Sequence, residues 1–288
     1  PWQPLLVAAS PCVTHQAMPP SGASAQPALQ VPTEFRVCTI FGVPIFVSLF
    51  LVLYYVYELS TRERAIAQNV SHGQLPDYSK AGLIALSCTT SFAVLFGTVL
   101  LHEFGHCAGA KMVGGRVERI LLWPLGGLAF CSSGGGHWKN LVVAVAGPLT
   151  HVPQYVAWWL GHRAAIAFTE SVFLTEVCIQ AMSLQISLAI FNLFVPVYPL
   201  DCSRVIMALC GMCGFSAVCT AQFMVMLSVG CMSLIVANMF KWVAVPFLPN
   251  GYSPMMLLVL AWLAYQTYQL GASVCRSEIA AHPLFKEN

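Results

Sequence analysis

Long apolar segments are the feature that most constrains how this chain can fold. A transmembrane helix needs about 20 mostly apolar residues, and six stretches of about that length or longer divide the chain: 40–59, 81–112, 141–160, 172–197, 216–240 and 254–271. Of the 288 residues, 58% are hydrophobic and only 8% are charged, whereas about a quarter are charged in a typical soluble domain. The sequence therefore predicts an all-α polytopic protein, integral to a lipid bilayer, with about six transmembrane helices.

A glycine-rich segment, 117–138, separates the second apolar stretch from the third. It is apolar in its first half but too short to cross a bilayer, and Pro124, Gly126, Gly127 and the glycines at 134–136 interrupt it. Irregular backbone at membrane depth is tolerated only where protein or a watery cavity satisfies its polar groups. The pattern is compatible with a short re-entrant glycine-rich hairpin or strand pair, and equally with a plain interfacial loop.

The two ends of the chain differ in composition from its apolar centre. Residues 1–35 are rich in Pro, Ala, Ser and Gln and carry no charge before Glu34, which predicts a disordered or targeting-derived N-terminal arm. Residues 36–272 contain the apolar stretches and form the predicted core, and 273–288 form a short polar C-terminal tail. The net charge of +2 gives no indication of nucleic-acid binding.

An H-E-x-x-H motif lies inside the second apolar stretch, as HEFGH from His102 to His106. Side chains four residues apart share one face of a helix, so the two imidazoles can bind one Zn²⁺, and Glu103 can act as a general base beside it. An ionisable group inside a bilayer is costly and is functional by default. The alternative is a pair of hydrogen-bonded core histidines with a glutamate partner.

A catalytic zinc usually takes three protein ligands and keeps one open position. The best candidate for the third ligand is Asp201, which follows an apolar stretch broken by Pro196 and Pro199. If the spans alternate in direction, the second and the fourth run the same way, so His102, His106 and Asp201 lie toward the same leaflet. The alternative for Asp201 is a helix N-cap at the membrane edge.

These residues resemble the site-2 protease family, the intramembrane zinc metalloproteases. The segments that carry the resemblance are HEFGH at 102–106, NLFVPVYPLDCSR at 192–204, FGVPIFVSLFLVL at 41–53, PLGGLAF at 124–130, AGPLTH at 146–151 and RVIMAL at 204–209. The chain is most similar to the compact six-span members without a PDZ domain. The resemblance implies that 36–272 is an intramembrane metalloprotease core.

The resemblance also implies an activity and a site. The activity is hydrolysis of peptide bonds within or near transmembrane segments of other membrane proteins, with a transmembrane protein as substrate and the lipid bilayer as surroundings. His102, His106 and Asp201 would be ligands of zinc, and Glu103 the catalytic general base.

Three further residues are assigned to substrate binding by the resemblance. Asn192 would polarise the substrate carbonyl, and Gly126 and Gly127 would let an extended loop approach the substrate backbone. Asn192 lies one residue further from Asp201 than the family pattern has it.

Two other positions depart from the family pattern. Cys202 replaces the glycine that usually follows the aspartate, and His151 stands where asparagine is common. His151 is either a satisfied core polar group or a modifier of the site.

Two rival functions remain open at this stage. One is a catalytically silent, protease-like scaffold or subunit of a membrane complex that retains the metal site, which the departures near Asp201 and Asn192 keep open. The other is a metal or proton transporter that uses the motif as a relay. Transporters usually distribute such groups over related halves, and the sequence has no second cluster of acidic and histidine residues inside its apolar stretches.

Overall fold

A computed structural model describes residues 33–71, 78–169, 171–242 and 254–279. Residues 1–32, and with them most of the predicted N-terminal arm, lie outside the described residues, as does 280–288 of the predicted tail. In chain order the described elements are β1 (Glu34–Ile40), β2 (Val43–Ser48), α1 (Leu49–Ser71), α2 (Tyr78–Met112), β3 (Arg116–Trp123), β4 (Gly126–Ser132), α3 (His137–Leu149), α4 (His151–Phe168), α5 (Val172–Phe194), α6 (Asp201–Met212), α7 (Ala217–Met239) and α8 (Pro254–Cys275).

Most of the chain is helical, as the apolar stretches predict. Among the described residues, three helical segments are long and apolar enough to cross a membrane: Ala85–Met112, Val172–Phe194 and Ala217–Met239. At 1.5 Å per residue, the 28 residues of the first span about 42 Å, more than the roughly 30 Å of a hydrocarbon core. At the tilts of up to about 40° that membrane helices adopt, one end of α2 therefore reaches beyond the apolar slab.

A four-stranded sheet corrects the all-α prediction: β1 and β2 precede α1, and β3 and β4 lie between α2 and α3. The sheet has the order β1-β2-β3-β4, with β2 and β3 parallel and the outer pairs antiparallel. The predicted first span, 40–59, begins at the last residue of β1 and continues through β2, and helix α1 starts only at Leu49. Val43 and Ile45, two residues apart, are buried on one face of β2. Both are β-branched, and β-branched residues favour strand conformation. A short apolar run does not reveal by periodicity alone whether it is strand or helix.

The glycine-rich segment forms an antiparallel hairpin of β3 and β4. Its register brings Trp123 opposite Gly126, so the hairpin turns through Pro124 and Leu125. Gly126 has a φ of +138°, a backbone conformation that favours glycine. The hairpin packs on α2, and this contact positions it beside the H-E-x-x-H motif.

Close packing of α3 on α2 depends on small residues. A Cβ at Gly105 would lie 2.5 Å from the backbone oxygen of Ala146, and one at Gly109 would lie 2.7 Å from its Cβ. The glycines of α2 thus allow the backbone of α3 to approach, as small residues do between membrane helices. Thr150, in helical conformation, connects α3 directly to α4, so the predicted third span, 141–160, comprises parts of two consecutive helices.

Candidate metal centre and its cavity

Three buried side chains converge where α2 meets the start of α6. The Nε2 atoms of His102 and His106 are 3.1 Å apart. Asp201 Oδ2 lies 3.1 Å from His102 Nε2, and Asp201 Oδ1 lies 3.3 Å from His106 Nε2. All three residues are less than a tenth exposed. The structure thus brings together the three side chains that the sequence singles out as a ligand set.

The loop between α5 and α6 places Asp201 at this point. Helix α5 ends at Phe194, residues 195–200 are not helical, and α6 begins at Asp201. The loop is fastened by Tyr198, whose backbone N–H donates to Ser228 Oγ at 2.9 Å. The N-cap position of α6 belongs to Leu200, and the Asp201 carboxylate faces the histidines. Asp201 therefore does not serve as the helix cap that was its alternative.

The donor set suits a metal ion. His106 Nδ1 lies 2.7 Å from the Val143 carbonyl oxygen; since a carbonyl only accepts, Nδ1 carries the hydrogen, and Nε2 of the neutral ring keeps a lone pair. A lone pair at Nε2 and an adjacent carboxylate repel unless a cation lies between them. Four ligands at 2.0–2.1 Å in a tetrahedron are about 3.4 Å apart, close to the separations observed. His102, His106 and Asp201 can therefore hold a metal ion.

The Glu103 carboxylate lies against the hairpin. A Cβ at Gly127 would lie 2.5 Å from Glu103 Cγ and 2.9 Å from its Oε1. Only glycine at this position lets the backbone of β4 come so close to the side chain of Glu103. The Glu103 side chain and the extended backbone of β4 thereby line the same cavity as the metal-binding group.

A cavity of about 160 Å³ connects these features. Its lining includes every site residue that the sequence analysis named: His102, Glu103, His106, Gly126, Gly127, Asn192 and Asp201. One N–H of the Asn192 side-chain amide donates to the Leu188 carbonyl at 3.0 Å. The second N–H of that amide is the one that a ligand in the cavity can use.

Sequence reasoning missed three residues of the cavity lining, two of them aromatic and one basic. Trp123 and Trp262 meet edge to face, with ring centroids 5.2 Å apart, and Arg204 also lines the cavity. The indole Nε1 of Trp262 is buried without a hydrogen-bond partner among the residues described. Nothing in the sequence around Trp123 connects it with Trp262 on α8.

Comparisons with known proteins agree with the presence of a metal-binding group. No family model matches the chain. It is 32% identical over 124 residues to a zinc metalloprotease of Methanocaldococcus jannaschii, a match covering 41% of this chain and 33% of that protein. It is 31% identical over 115 residues to stage IV sporulation protein FB of Bacillus subtilis, covering 38% and 37% respectively. The match thus spans little more than a third of these relatives.

The fold has a solved counterpart. The site-2 protease from Methanocaldococcus jannaschii superimposes with a TM-score of 0.51 at 20% identity, over 82% of this chain and 94% of that one. Fold and site together define an integral membrane protein with a buried group of two histidines and an aspartate. The named relatives and the shared fold support the resemblance to the site-2 protease family that the motifs carry.

Proposed function

We propose that this chain is an intramembrane zinc metalloprotease that hydrolyses peptide bonds within or near transmembrane segments of other membrane proteins. One observation carries the proposal: a buried glutamate, a group of three metal-binding side chains and an edge of extended backbone share one cavity. A peptidase needs a base, an electrophilic activator and a means of holding the peptide in extended form. A transporter would not need a means of holding a peptide in extended form.

His102, His106 and Asp201 would hold zinc, and three protein ligands leave the open position that catalytic zinc sites keep. Bound there, zinc would supply Lewis-acid polarisation and lower the pKa of water. The distances of 3.1–3.3 Å among the ligand atoms support the predicted ligand set. The position of Glu103 beside these atoms supports its predicted role as general base.

Glu103 is the residue that we assign to proton transfer. Its carboxylate would accept a proton from the attacking water and then donate it to the nitrogen of the leaving amine. Asn192 is assigned to the carbonyl oxygen, because its second amide N–H is oriented by the bond of the first to Leu188 and can stabilise developing negative charge. The indole N–H of Trp262, which has no hydrogen-bond partner in the described part of the chain, is a second donor suited to a substrate carbonyl.

The substrate backbone would bind in extended form beside β4. Among the described residues β4 is the last strand of its sheet, and an exposed strand edge can accept a peptide by strand addition. Gly127 brings this strand against Glu103, and Gly126 allows the turn that precedes it. A helical substrate must unwind before its peptide bond is accessible, since its backbone groups are already hydrogen-bonded to one another.

The membrane arrangement that we propose has about six spans and a core at 36–272. Besides α2, α5 and α7, the additional spans would be α1, the consecutive helices α3 and α4, and α8. The hairpin of β3 and β4 would be re-entrant, since it packs on the helix that carries the H-E-x-x-H motif. A cavity at this depth would have to admit water from the leaflet that contains the motif.

The test is cleavage of a transmembrane substrate by purified, reconstituted protein, with wild type compared with Glu103→Gln. We expect Glu103→Gln to retain zinc and to lose cleavage. The matched control is Glu176→Gln, which removes another glutamate from an apolar helix at an exposed position away from the cavity and should leave cleavage unchanged. Equal cleavage by Glu103→Gln and wild type would refute the protease proposal. Zinc binding without cleavage in the wild type would support the silent scaffold.

A further inference from the structure

His151 lines the cavity and contacts one of the metal-binding residues at the ring nitrogen that does not face Asp201. It is the first residue of α4 and only 3% exposed, and its Nε2 lies 3.1 Å from His102 Nδ1. Asp201 and His106 lie on the other side of the His102 ring, at Nε2. His151 therefore does not belong to the group of three side chains. It is placed to determine which nitrogen of His102 carries the hydrogen.

A chain of hydrogen bonds continues from His151 into the helix bundle. Its Nδ1 lies 2.6 Å from Oε1 of Gln185, a residue of α5 that is 1% exposed. The Gln185 side-chain nitrogen donates to Thr98 Oγ1 at 2.9 Å and to Gln154 Oε1 at 3.3 Å. Three helices, α2, α4 and α5, thus contribute to one buried polar network beside the site.

The far end of this series of hydrogen bonds determines which group donates and which accepts at each step. Gln154 Nε2 lies 3.2 Å from Thr150 Oγ1, whose hydroxyl lies 2.7 Å from the Gly147 carbonyl oxygen. A carbonyl can only accept, so the Thr150 hydroxyl donates its one hydrogen there and accepts from the nitrogen of Gln154. The oxygen of Gln154 must then face Gln185.

The same reasoning continues back to the site. With its nitrogen directed to Gln154 and Thr98, Gln185 presents its oxygen to His151, so His151 Nδ1 donates. In a neutral ring His151 Nε2 then accepts, and His102 Nδ1 donates to it. This leaves the lone pair of His102 at Nε2, directed at His106 and Asp201.

The geometry points to His151 and Gln185 as positioning residues that hold His102 in the tautomer required for metal binding. The inference rests on the proposed metal site and extends it. The other histidine, His106, is fixed in the same tautomer by the Val143 carbonyl. Partners of this kind orient a ligating imidazole, and their removal typically weakens metal binding 10- to 100-fold.

The test measures zinc affinity by chelator competition on the full chain in detergent, so it does not depend on activity. We expect His151→Leu to weaken zinc binding about 10- to 100-fold. His151→Gln should recover most of the affinity, because an amide oxygen can accept from His102. His162→Leu, the same substitution further along α4 and away from the cavity, is the matched control and should bind zinc like the wild type.

Gln185 variants test the direction of the chain. Gln185→Glu keeps an acceptor for His151 and should retain zinc affinity, whereas Gln185→Leu should lose it. Unchanged affinity in His151→Leu, or an equal loss in His162→Leu, would overturn the proposal, as would equal losses in the two Gln185 variants.

Nitrogen-15 NMR of labelled histidines separates this inference from the proposed function. In metal-free wild type, the chain requires hydrogen on Nδ1 of both His102 and His151. A wild type that binds no zinc would refute the proposed function while these signals still decide the tautomers. A missing hydrogen at Nδ1 of either ring, or a hydrogen on Nε2 of His151, would overturn the inference whatever the zinc content.

Discussion

Gly127→Ala should disable the Glu103 carboxylate without touching a metal-binding residue. The added Cβ would lie 2.5 Å from Glu103 Cγ and 2.8 Å from Val99 Cγ1, so Glu103 must move about 1 Å to restore ordinary contacts of roughly 3.5 Å. The φ of Gly127 is not in the left-handed region, so alanine brings no backbone strain of its own. Displacing a reacting group by 1 Å can cost about 100-fold in rate, or about 2.7 kcal/mol of transition-state stabilisation.

The assay is kcat for cleavage of a reconstituted transmembrane substrate, with zinc stoichiometry measured on the same samples. We expect Gly127→Ala to lose about two orders of magnitude in kcat and to retain its zinc. Gly97→Ala is the matched control, because it places the same methyl group on α2 where nothing lies within 4 Å.

The double variant tests whether Gly127 acts through Glu103. In the background of Glu103→Gln, the alanine should cause little additional loss, because residues that act as a unit are not additive. A Gly127→Ala protein with wild-type kcat would refute this reasoning, since the strand would then have room for a side chain. Loss of zinc together with activity would also refute it, because the effect would then be a collapse of the whole site.

Three further predictions concern the metal. Asp201→Ala should lower the zinc content of purified protein well below that of wild type, measured by elemental analysis; an unchanged content would remove Asp201 from the ligand set. Gly147→Ala should weaken zinc affinity, because its Cβ would meet the His106 ring at Nε2, whereas Gly161→Ala, whose nearest contact is at 3.6 Å, should not. Chelation should abolish cleavage and added zinc should restore it, whereas cleavage that survives full chelation would exclude a metal-dependent reaction.

The metal-binding group could be predicted from the sequence because ionisable residues are energetically costly within or beside apolar stretches. Two histidines and a glutamate in an apolar stretch demand a reason, and the prolines before Asp201 indicate a break that frees a carboxylate to turn inward. The pairwise distances could not be inferred. They depend on the loop at 195–200, which is held by a hydrogen bond to Ser228 on another helix.

The sheet and the polar network were harder to predict for different reasons. The β2 segment is short and apolar, and its strand conformation depends on pairing with Ile120 and its neighbours more than 70 residues away. Gln185 did give a local signal, as a polar residue within an apolar helix. Its partners Thr98 and Gln154 are 87 and 31 residues distant, and no periodicity links them.

The contacts of helix α3 explain why the A-G-P segment at 146–148, which contains no catalytic residue, accompanies this site. The Val143 carbonyl fixes the tautomer of His106, and the Gly147 carbonyl terminates the chain that fixes that of His102. For both acceptors to be in reach, α3 must lie almost in backbone contact with α2, which requires a small side chain at Ala146 and none at Gly147. The A-G-P segment is thus a packing requirement of the metal site. In an apolar slab without water, backbone carbonyls are the acceptors most readily available to orient its histidines.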